Sequence, residues 1–458
     1  MVKVFLKHGR DESLRRFHPW VFSGAVAQVQ GSPAEGDIVG VYSAEGQFLA
    51  SGHWQVGSIA VRILSFDADP TAPDFWTNSI ARALEARIAV GLYADGSGQL
   101  LPETSGCAGH LPSDDGPLPL TMPPDKDKSP WKGAQGVEGQ ASLLARFPEA
   151  VPASDQLTNC FRLIHGEGDG LPGLIIDWYD GVCVMQAHSV GMFRAKAQIC
   201  EALKAVFGER LKAVYDKSSG TAPFKAGLEL VDGYLYRAPG FEASETVVLE
   251  NGRKFLVNWE EGQKTGFFLD QRDNRALVGK YAAGRRVLNL FCYTGGFSIY
   301  ALTSGAVQVD SVDSSARAMD LVARNIQLNI ADGAAEVHNY CEDAIDFLHK
   351  TPEGKYDLMI VDPPAFAKHR GALKNALRAY QRLNAAAIAK VAPGGLVFTF
   401  SCSQVVDKIT FANTVFSAAA QTGRSVRILD RLCQGADHPV SIYHPEGEYL
   451  KGLLLYVE

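Results

Sequence analysis

Apolar and polar positions fall into successive rhythms along the chain. Up to about residue 70, short runs such as "GDIVGVYSA", "QFLASGHW" and "SIAVRILSF" lie between glycine and aspartate turns, the period-two signature of a small β-barrel or sandwich. In "FWTNSIARALEARIAVGL" the residues Ile80, Leu84 and Ile88 recur every four positions, which predicts an amphipathic helix. "FRLIHGEGDGLPGLIIDWYDGVCVMQAH" reads strand, glycine-rich turn, strand, turn, strand, and "AKAQICEALKAVFG" predicts a helix after it. From 285 to 402 β and α patterns alternate, which predicts a parallel sheet with helices on both faces. The 458 residues therefore read as a multidomain α/β chain: a β-barrel over 1–72, a small α+β middle domain over 73–240, and a doubly wound, Rossmann-like domain over 241–458.

The stretch from about 91 to 152 follows neither rhythm. It is crowded with Gly, Pro and Ser and predicts a disordered or irregular insertion, in which Cys107 and His110 are loop residues. It carries eight acidic against four basic side chains and so supplies −4 of the net charge of −7. The remainder is close to neutral, and the acidic total no longer argues against a nucleic-acid partner. Lys3, Lys7 and Arg10 interrupt any signal-like opening, and no uncharged apolar run reaches the ~18 residues of a membrane span. A cytoplasmic protein without a membrane partner is expected. Eight cysteines without a Cys-x-x-Cys pair indicate neither a metal site nor a disulfide framework.

Candidate chemistry gathers where the predicted strands end. "RRVLNLFCYTGGFSIYAL" runs from a strand through Tyr293-Thr294-Gly295-Gly296 into a helix, an arrangement that lets a nucleotide-like ligand approach the backbone. The Gly-x-Gly-x-x-Gly spacing for a pyrophosphate is absent, while "VQVDSVD" ends in Asp313, placed to take two ribose hydroxyls. A ligand with a ribose and no phosphate fits, namely S-adenosylmethionine (SAM); taken alone, the motif is equally an ordinary strand-to-helix turn with a capping aspartate. Asp343 sits at the next strand end, where an acceptor for the adenine amino group is needed. "KYDLMIVDPPAF" ends in Asp362-Pro363-Pro364, whose prolines stiffen the turn, and "GGLVFTFSCSQ" delivers Cys402 between two serines. Polar groups at successive strand ends define one crevice.

"KTGFFLDQRDNR" (264–275), "VLNLFCYTGGFS", "VDPPAF", "TFSCS" and "ADHPVSIYHPEGEYLKG" (436–452) together resemble the ribosomal large subunit methyltransferase I family, enzymes that methylate C5 of a cytosine in large-subunit rRNA. "FHPWVFSGAV" (17–26) is similar to that family's RNA-binding PUA domain, and "EGDGLPGLIID" (167–177) to its middle domain. The resemblance spans nearly the whole chain except the 91–152 insertion. It implies SAM as cofactor and ribosomal RNA as partner. It adds Asp270, Gln271 and Arg272 to the cofactor contacts, and extends those at the strand ends to Asn289, Phe291, Tyr293, Thr294, Gly295, Gly296, Ser314, Ala344, Asp362 and Pro363. A homodimer is one assembly the reading allows.

C5 of a pyrimidine is a poor nucleophile, and a thiolate attacking C6 raises electron density at C5. Cys402 is the candidate nucleophile, with Asp362 hydrogen-bonding the base edge; the alternative for a free cysteine is a small buried hydrophobe, which is the reading for Cys183, Cys200 and Cys292. Ala365 stands where many RNA cytosine-C5 enzymes carry a second cysteine, so product release must use another group or water, and the sequence does not identify the base that removes the C5 proton. For RNA, Arg370, Lys374, Arg378 and Arg382 recur every four residues and form one basic face if the stretch is a helix, Lys368 precedes them as a further candidate, and Lys7, Arg10, Arg15 and Arg16 open the barrel domain. Two alternatives stay open: a uridine-C5 or base-nitrogen methyltransferase, and a non-catalytic ribosome-assembly protein that binds RNA.

Overall fold

A computed structural model describes residues 1–93, 157–223, 227–331 and 333–458. The irregular insertion expected at 91–152, with Cys107 and His110, lies almost wholly outside the described residues. Contacts group the chain into two compact units. The first contains the barrel, the middle sheet and the segment Pro439–Pro445; the second contains Leu157–Cys160, Ala243–His438 and Glu446–Glu458.

In the first unit, β1 (Val2–Leu6), β2 (Trp20–Phe22), β3 (Val26–Gln30), β4 (Ile38–Tyr42), β5 (Phe48–Trp54) and β6 (Ile59–Ser65) form a six-stranded sheet in the order β2-β6-β5-β4-β1-β3. Val4, Leu6, Val39, Val41, Val61 and Ile63 turn inward from it and are at most 3% exposed, which is the alternation of the sequence made solid. The expected helix is α1 (Phe75–Ala89), with Ile80 and Leu84 fully buried. It packs with α2 (Lys196–Phe207) on the five-stranded middle sheet β11-β10-β9-β8-β7, built from β7 (Cys160–His165), β8 (Leu174–Tyr179), β9 (Val182–Ala187), β10 (Ala213–Asp216) and β11 (Gly233–Arg237).

Sequence rhythm separates the barrel from the middle domain, whereas contacts join them. The reason is a close approach: a Cβ on Gly191 would lie 2.2 Å from the His53 ring, so only glycine lets the two meet there. Glu167 of the middle domain also accepts from the Trp20 indole at 2.9 Å and from Arg62 at 3.0 Å.

The second unit opens with the hairpin β12 (Glu245–Glu250) and β13 (Arg253–Asn258) and the helix α3 (Arg272–Ala282). Its seven-stranded sheet has the order β16-β15-β14-β17-β18-β20-β19, from β14 (Arg286–Leu290), β15 (Gln308–Asp313), β16 (Glu336–Cys341), β17 (Leu358–Val361), β18 (Gly395–Ser401), β19 (Val426–Cys433) and β20 (Lys451–Val457). The first five are parallel, as the β/α alternation predicts, and β17 is buried on both faces as a covered parallel strand must be. Beyond β18 the sheet turns antiparallel, because β20 inserts between β18 and β19. Helices α4 (Gly296–Thr303), α5 (Ala316–Asn329), α6 (Ala344–Lys350), α7 (Leu373–Lys390) and α8 (Lys408–Thr422) follow β14 through β18 in turn. After β14 the strand order runs one way to β15 and β16, then returns to the other side at β17. That reversal opens a crevice at the carboxyl ends of β14 and β17, where ligands of such sheets bind.

Candidate active site

The turn after β14 is held open by backbone that few residues tolerate: Phe291 and Tyr293 have φ of 59° and 48°, and Gly295 has φ of 79°. Several anchors over-determine it. The Tyr293 amide donates to Asp313 Oδ2 at 3.0 Å, and Asn325 donates to the Thr294 carbonyl at 2.9 Å. The Tyr293 hydroxyl accepts from the Gln263 amide at 2.9 Å and donates to the Gly266 carbonyl at 3.2 Å, tying the turn to the loop before α3.

Asp313 ends β15 with both oxygens engaged, since Oδ1 accepts from the Ser315 amide at 3.0 Å. Each carboxylate oxygen keeps a further lone pair, so the backbone bonds orient the group without exhausting it. Asp343 is exposed and caps α6 through Oδ1, at 2.8 Å from the Ile345 amide, which leaves Oδ2 for another partner. Asn289 is 1% exposed and donates to Ser298 at 2.9 Å, so it fastens β14 to α4 from within the fold. Thr294, Gly296, Ala344 and Pro363 are buried, Phe291 is half-buried, and Ser314 is exposed.

The stretch 270–275 holds itself and its surroundings together. Gln271 donates to Asp362 Oδ2 at 2.9 Å, and Asn274 donates to Gln271 at 2.6 Å and to the Cys433 carbonyl at 3.1 Å. Arg272, expected among the cofactor contacts, is 2% exposed and commits its guanidinium to Asp437 at 2.9 Å and the Cys160 carbonyl at 3.0 Å. Arg275 grips Glu250 with two bonds of 2.7 and 2.6 Å and reaches the Phe268 carbonyl at 2.9 Å. Sequence reasoning gave these arginines no internal partner because theirs lie 25 and 165 positions away.

Cys402 stands one residue past β18 and is half-buried. The serines on either side are spent on structure: Ser401 donates to the Tyr380 hydroxyl at 3.0 Å, and Ser403 to the Ala367 carbonyl at 2.7 Å. Burial pushes the Cys402 thiol up to about 11, the charges of Asp362 and Asp270 add to the rise, and Lys451 opposes it. Lys451, which the sequence reading passed over, is 5% exposed and donates to the carbonyls of Ser403 and Val406 at 2.6 Å each. It pins the turn that carries Cys402 and brings a positive charge to bear on the thiol. Cys183, Cys200 and Cys292 are buried, as the structural reading expects.

Burial raises the Asp362 carboxyl to about 7, and the charge of Asp270 adds to the rise while Gln271 and Arg275 oppose it. Against an ordinary value of 3.8, folding takes up a proton between roughly pH 4 and 7. The stability that the protonated form contributes is complete below about 3.8 and is lost as pH rises through about 7. Asp362→Asn should therefore raise the melting temperature at pH 8 and not at pH 4. The gain is about 2 kcal/mol, discounted from the ~4 kcal/mol of three pKa units because the group is partly exposed. A gain independent of pH would refute the buried-acid assignment.

On the helical side, Lys374, Arg378 and Arg382 of α7 are exposed while Ala376, Tyr380 and Leu383 face the core, so the basic face expected from the sequence exists. A groove of about 460 Å³ is lined by Asn375, Arg378, Gln381, Arg382 and Gln421, without a carboxylate. Lys368 and Arg370 are exposed just before it. In the barrel, Lys7 and Arg10 are exposed, but Arg15 is paired with Asp11 at 2.7 Å and Arg16 with Glu12, four residues back in each case. Those two charges are largely neutralised on their own helical turn.

A family model described as S-adenosylmethionine-dependent methyltransferase matches residues 161–454, and a PUA-like domain model matches residues 4–66. The strained glycine turn, the oriented Asp313 and the free face of Asp343 suit the donor that class uses, and SAM is the cofactor. The class is thus a SAM-dependent methyltransferase with a PUA-like domain ahead of it. Proteins called ribosomal RNA large subunit methyltransferase I from Aeromonas hydrophila and Shewanella amazonensis are each 35% identical to this chain, covering 99% and 100% of it and 98% and 99% of their own lengths. The chain belongs to the ribosomal RNA large subunit methyltransferase I family. The crystal structure of SMU.776 complexed with SAH matches at a TM-score of 0.73 over 100% of both chains with 20% identity, a likeness of fold. No described helix is long and apolar enough to cross a membrane.

Proposed function

We propose that the protein methylates C5 of a cytosine in large-subunit ribosomal RNA, through a transient bond between Cys402 and C6 of the base. The rRNA substrate follows the family to which the chain belongs. The observation that carries the cytosine assignment is a strand-end cysteine beside a carboxyl held near pKa 7. A carboxyl that is substantially protonated at neutral pH donates a hydrogen bond. N3 of cytosine accepts one, whereas N3 of uracil carries a hydrogen and offers that donor no lone pair.

Asp362 would hold the base edge, supply a proton at N3 as the Cys402 sulfur bonds C6, which spares the ring a negative charge, and take that proton back when the C6–S bond breaks. The thiol loses its own proton to water before attack, and a protonated Asp362 removes one of the two negative charges that resist that loss. Bound SAM supplies an electrophilic methyl group to C5. Asp313, Asp343 and the Tyr293–Gly296 turn are the residues that would hold it. Lys368, Arg370, Lys374, Arg378 and Arg382 would take RNA phosphates along the groove beside α7, where no carboxylate competes.

The test is to incubate the full chain with methyl-labelled SAM and large-subunit rRNA, then digest to nucleosides. Label in 5-methylcytidine is expected. Label in 5-methyluridine or in a ring-nitrogen methylated nucleoside would overturn the base assignment.

A further inference from the structure

A thiol attacks only as thiolate, and the burial of Cys402 works against that form. The strand beside it carries a group that offsets the cost. Lys451 opens β20 and stands opposite Ser401, the last residue of β18, so the strand register alone places it beside the residue before Cys402. Its side chain is buried and reaches the turn that follows, where Nζ donates to the carbonyls of Ser403 and Val406 at 2.6 Å each. The Val406 amide closes the same turn on the Ser403 carbonyl at 3.2 Å. Cys402 is thus flanked in the chain by one residue paired with Lys451 along the sheet and another bonded to its ammonium. A buried lysine ordinarily faces a carboxylate. Here no carboxylate among the described residues pairs with it, and its two carbonyl partners leave the net charge uncancelled. A charge held in that way is costly unless it has a use.

The surroundings of the thiol give it one. Asp362 after β17 and Asp270 before α3 both resist ionisation of Cys402, and Tyr380 of α7 faces the same turn, its hydroxyl accepting from Ser401 at 3.0 Å. Burial brings the Lys451 ammonium down to about 8; the charges of Cys402, Asp407 and Glu448 resist that fall, and Lys408 adds to it.

We propose that Lys451 is the positioning residue that readies Cys402 for attack on C6, by fixing the turn that bears the thiol and by stabilising the thiolate with its ammonium. This rests on the reading of Cys402 as the nucleophile. The thiol proton goes to water and Lys451 keeps its own protons throughout, so it exchanges no atom with the substrate. The same charge is on hand when the C6–S bond breaks and the sulfur leaves as thiolate.

The experiment reads the thiol directly, by alkylating the full chain with iodoacetamide between about pH 6 and 10 and quantifying each cysteine peptide by mass spectrometry. Cys341, exposed at the end of β16, is the internal control. Lys451→Met, similar in length and uncharged, should slow the reaction of Cys402 at neutral pH by about three- to thirtyfold and leave Cys341 unchanged, because losing a nearby cation raises the thiol and the more basic thiolate recovers only part of the rate. The wild-type excess should narrow as pH rises through about 8, where Lys451 sheds its proton. Asp362 and Asp270 are present in every variant and drop out of the ratio. Lys451→Arg keeps its charge throughout, so it should hold the excess and overtake wild type above about pH 8, an arm that stands even if the methionine variant fails to fold. Methyl transfer to rRNA should fall in Lys451→Met by a comparable factor, with calorimetric SAM affinity unchanged. A wild-type-to-methionine ratio that is constant across this pH range would make Lys451 only a pin for the turn and overturn the proposal. An arginine variant that melts like wild type yet reacts as slowly as methionine would do the same. Alkylation that behaves as expected beside undiminished methyl transfer in Lys451→Met would instead sink the Cys402 reading.

Discussion

Cys402→Ala should abolish methyl transfer, on the order of 10⁴-fold or more, while the protein melts near the wild-type temperature and binds SAM with near wild-type affinity. The asymmetry follows from where the residue sits. The thiol is half-buried at a strand end, against one edge of the sheet's core, and removing one sulfur atom there costs no more than about 1 kcal/mol. The structural work at this turn belongs to Ser401, Ser403 and Lys451, whose hydrogen bonds the alanine leaves untouched. Cys402→Ser should be as inactive as alanine, because a hydroxyl ionises far less readily than a thiol. The measurement is methyl incorporation from labelled cofactor, with calorimetric SAM affinity and thermal melting on the same preparations. Turnover persisting in the alanine variant within about tenfold would show the cysteine to be packing.

Glu250→Ala should be the most damaging single change for stability, at about 3 to 5 kcal/mol in urea unfolding of the full chain. Glu250 is fully buried and receives two bonds from Arg275 and one of 3.0 Å from the Tyr300 hydroxyl, while Arg272 lies 3.7 Å away. Its loss strands the Arg275 guanidinium in the interior. The damage should also spread, because Arg275 holds the Phe268 carbonyl and lies against Gly296, where an added Cβ would meet its Cδ at 2.9 Å. A cost below about 1 kcal/mol would mean that Arg275 finds water or another acceptor.

The strand ends were legible in the sequence because local patterns announce them. A buried β-branched run that stops at Asp362 or Cys402, or opens into Tyr293-Thr294-Gly295-Gly296, advertises its position without reference to any distant residue. The supporting partners were not legible for the opposite reason. Tyr449 meets Asp270 across 179 residues, and Gln271 meets Asp362 across 91, separations that only the folded topology closes. The parallel strands were read from their alternation with helices, but β19 and β20 lie outside that rhythm, and β19 is mostly exposed, so no apolar period marked it. Asp11 and Glu12 stand four residues before Arg15 and Arg16, a spacing that pairs charges on a helix and was legible in the sequence.

The ion-paired stretch from Gln271 to Arg275 is the most recognisable part of the chain, yet nearly every polar side chain in it is occupied by another part of the same protein. Its members can drift only in concert, since a change at Glu250 or Asp437 leaves an arginine without its counter-charge. A descendant lineage could keep this keystone intact while exchanging the side chains at 362 and 402, and so inherit the same vault over a different reaction. Shared ancestry traced through this stretch therefore vouches for the framework and the methyl donor, and the atom that receives the methyl has to be read from the two strand ends.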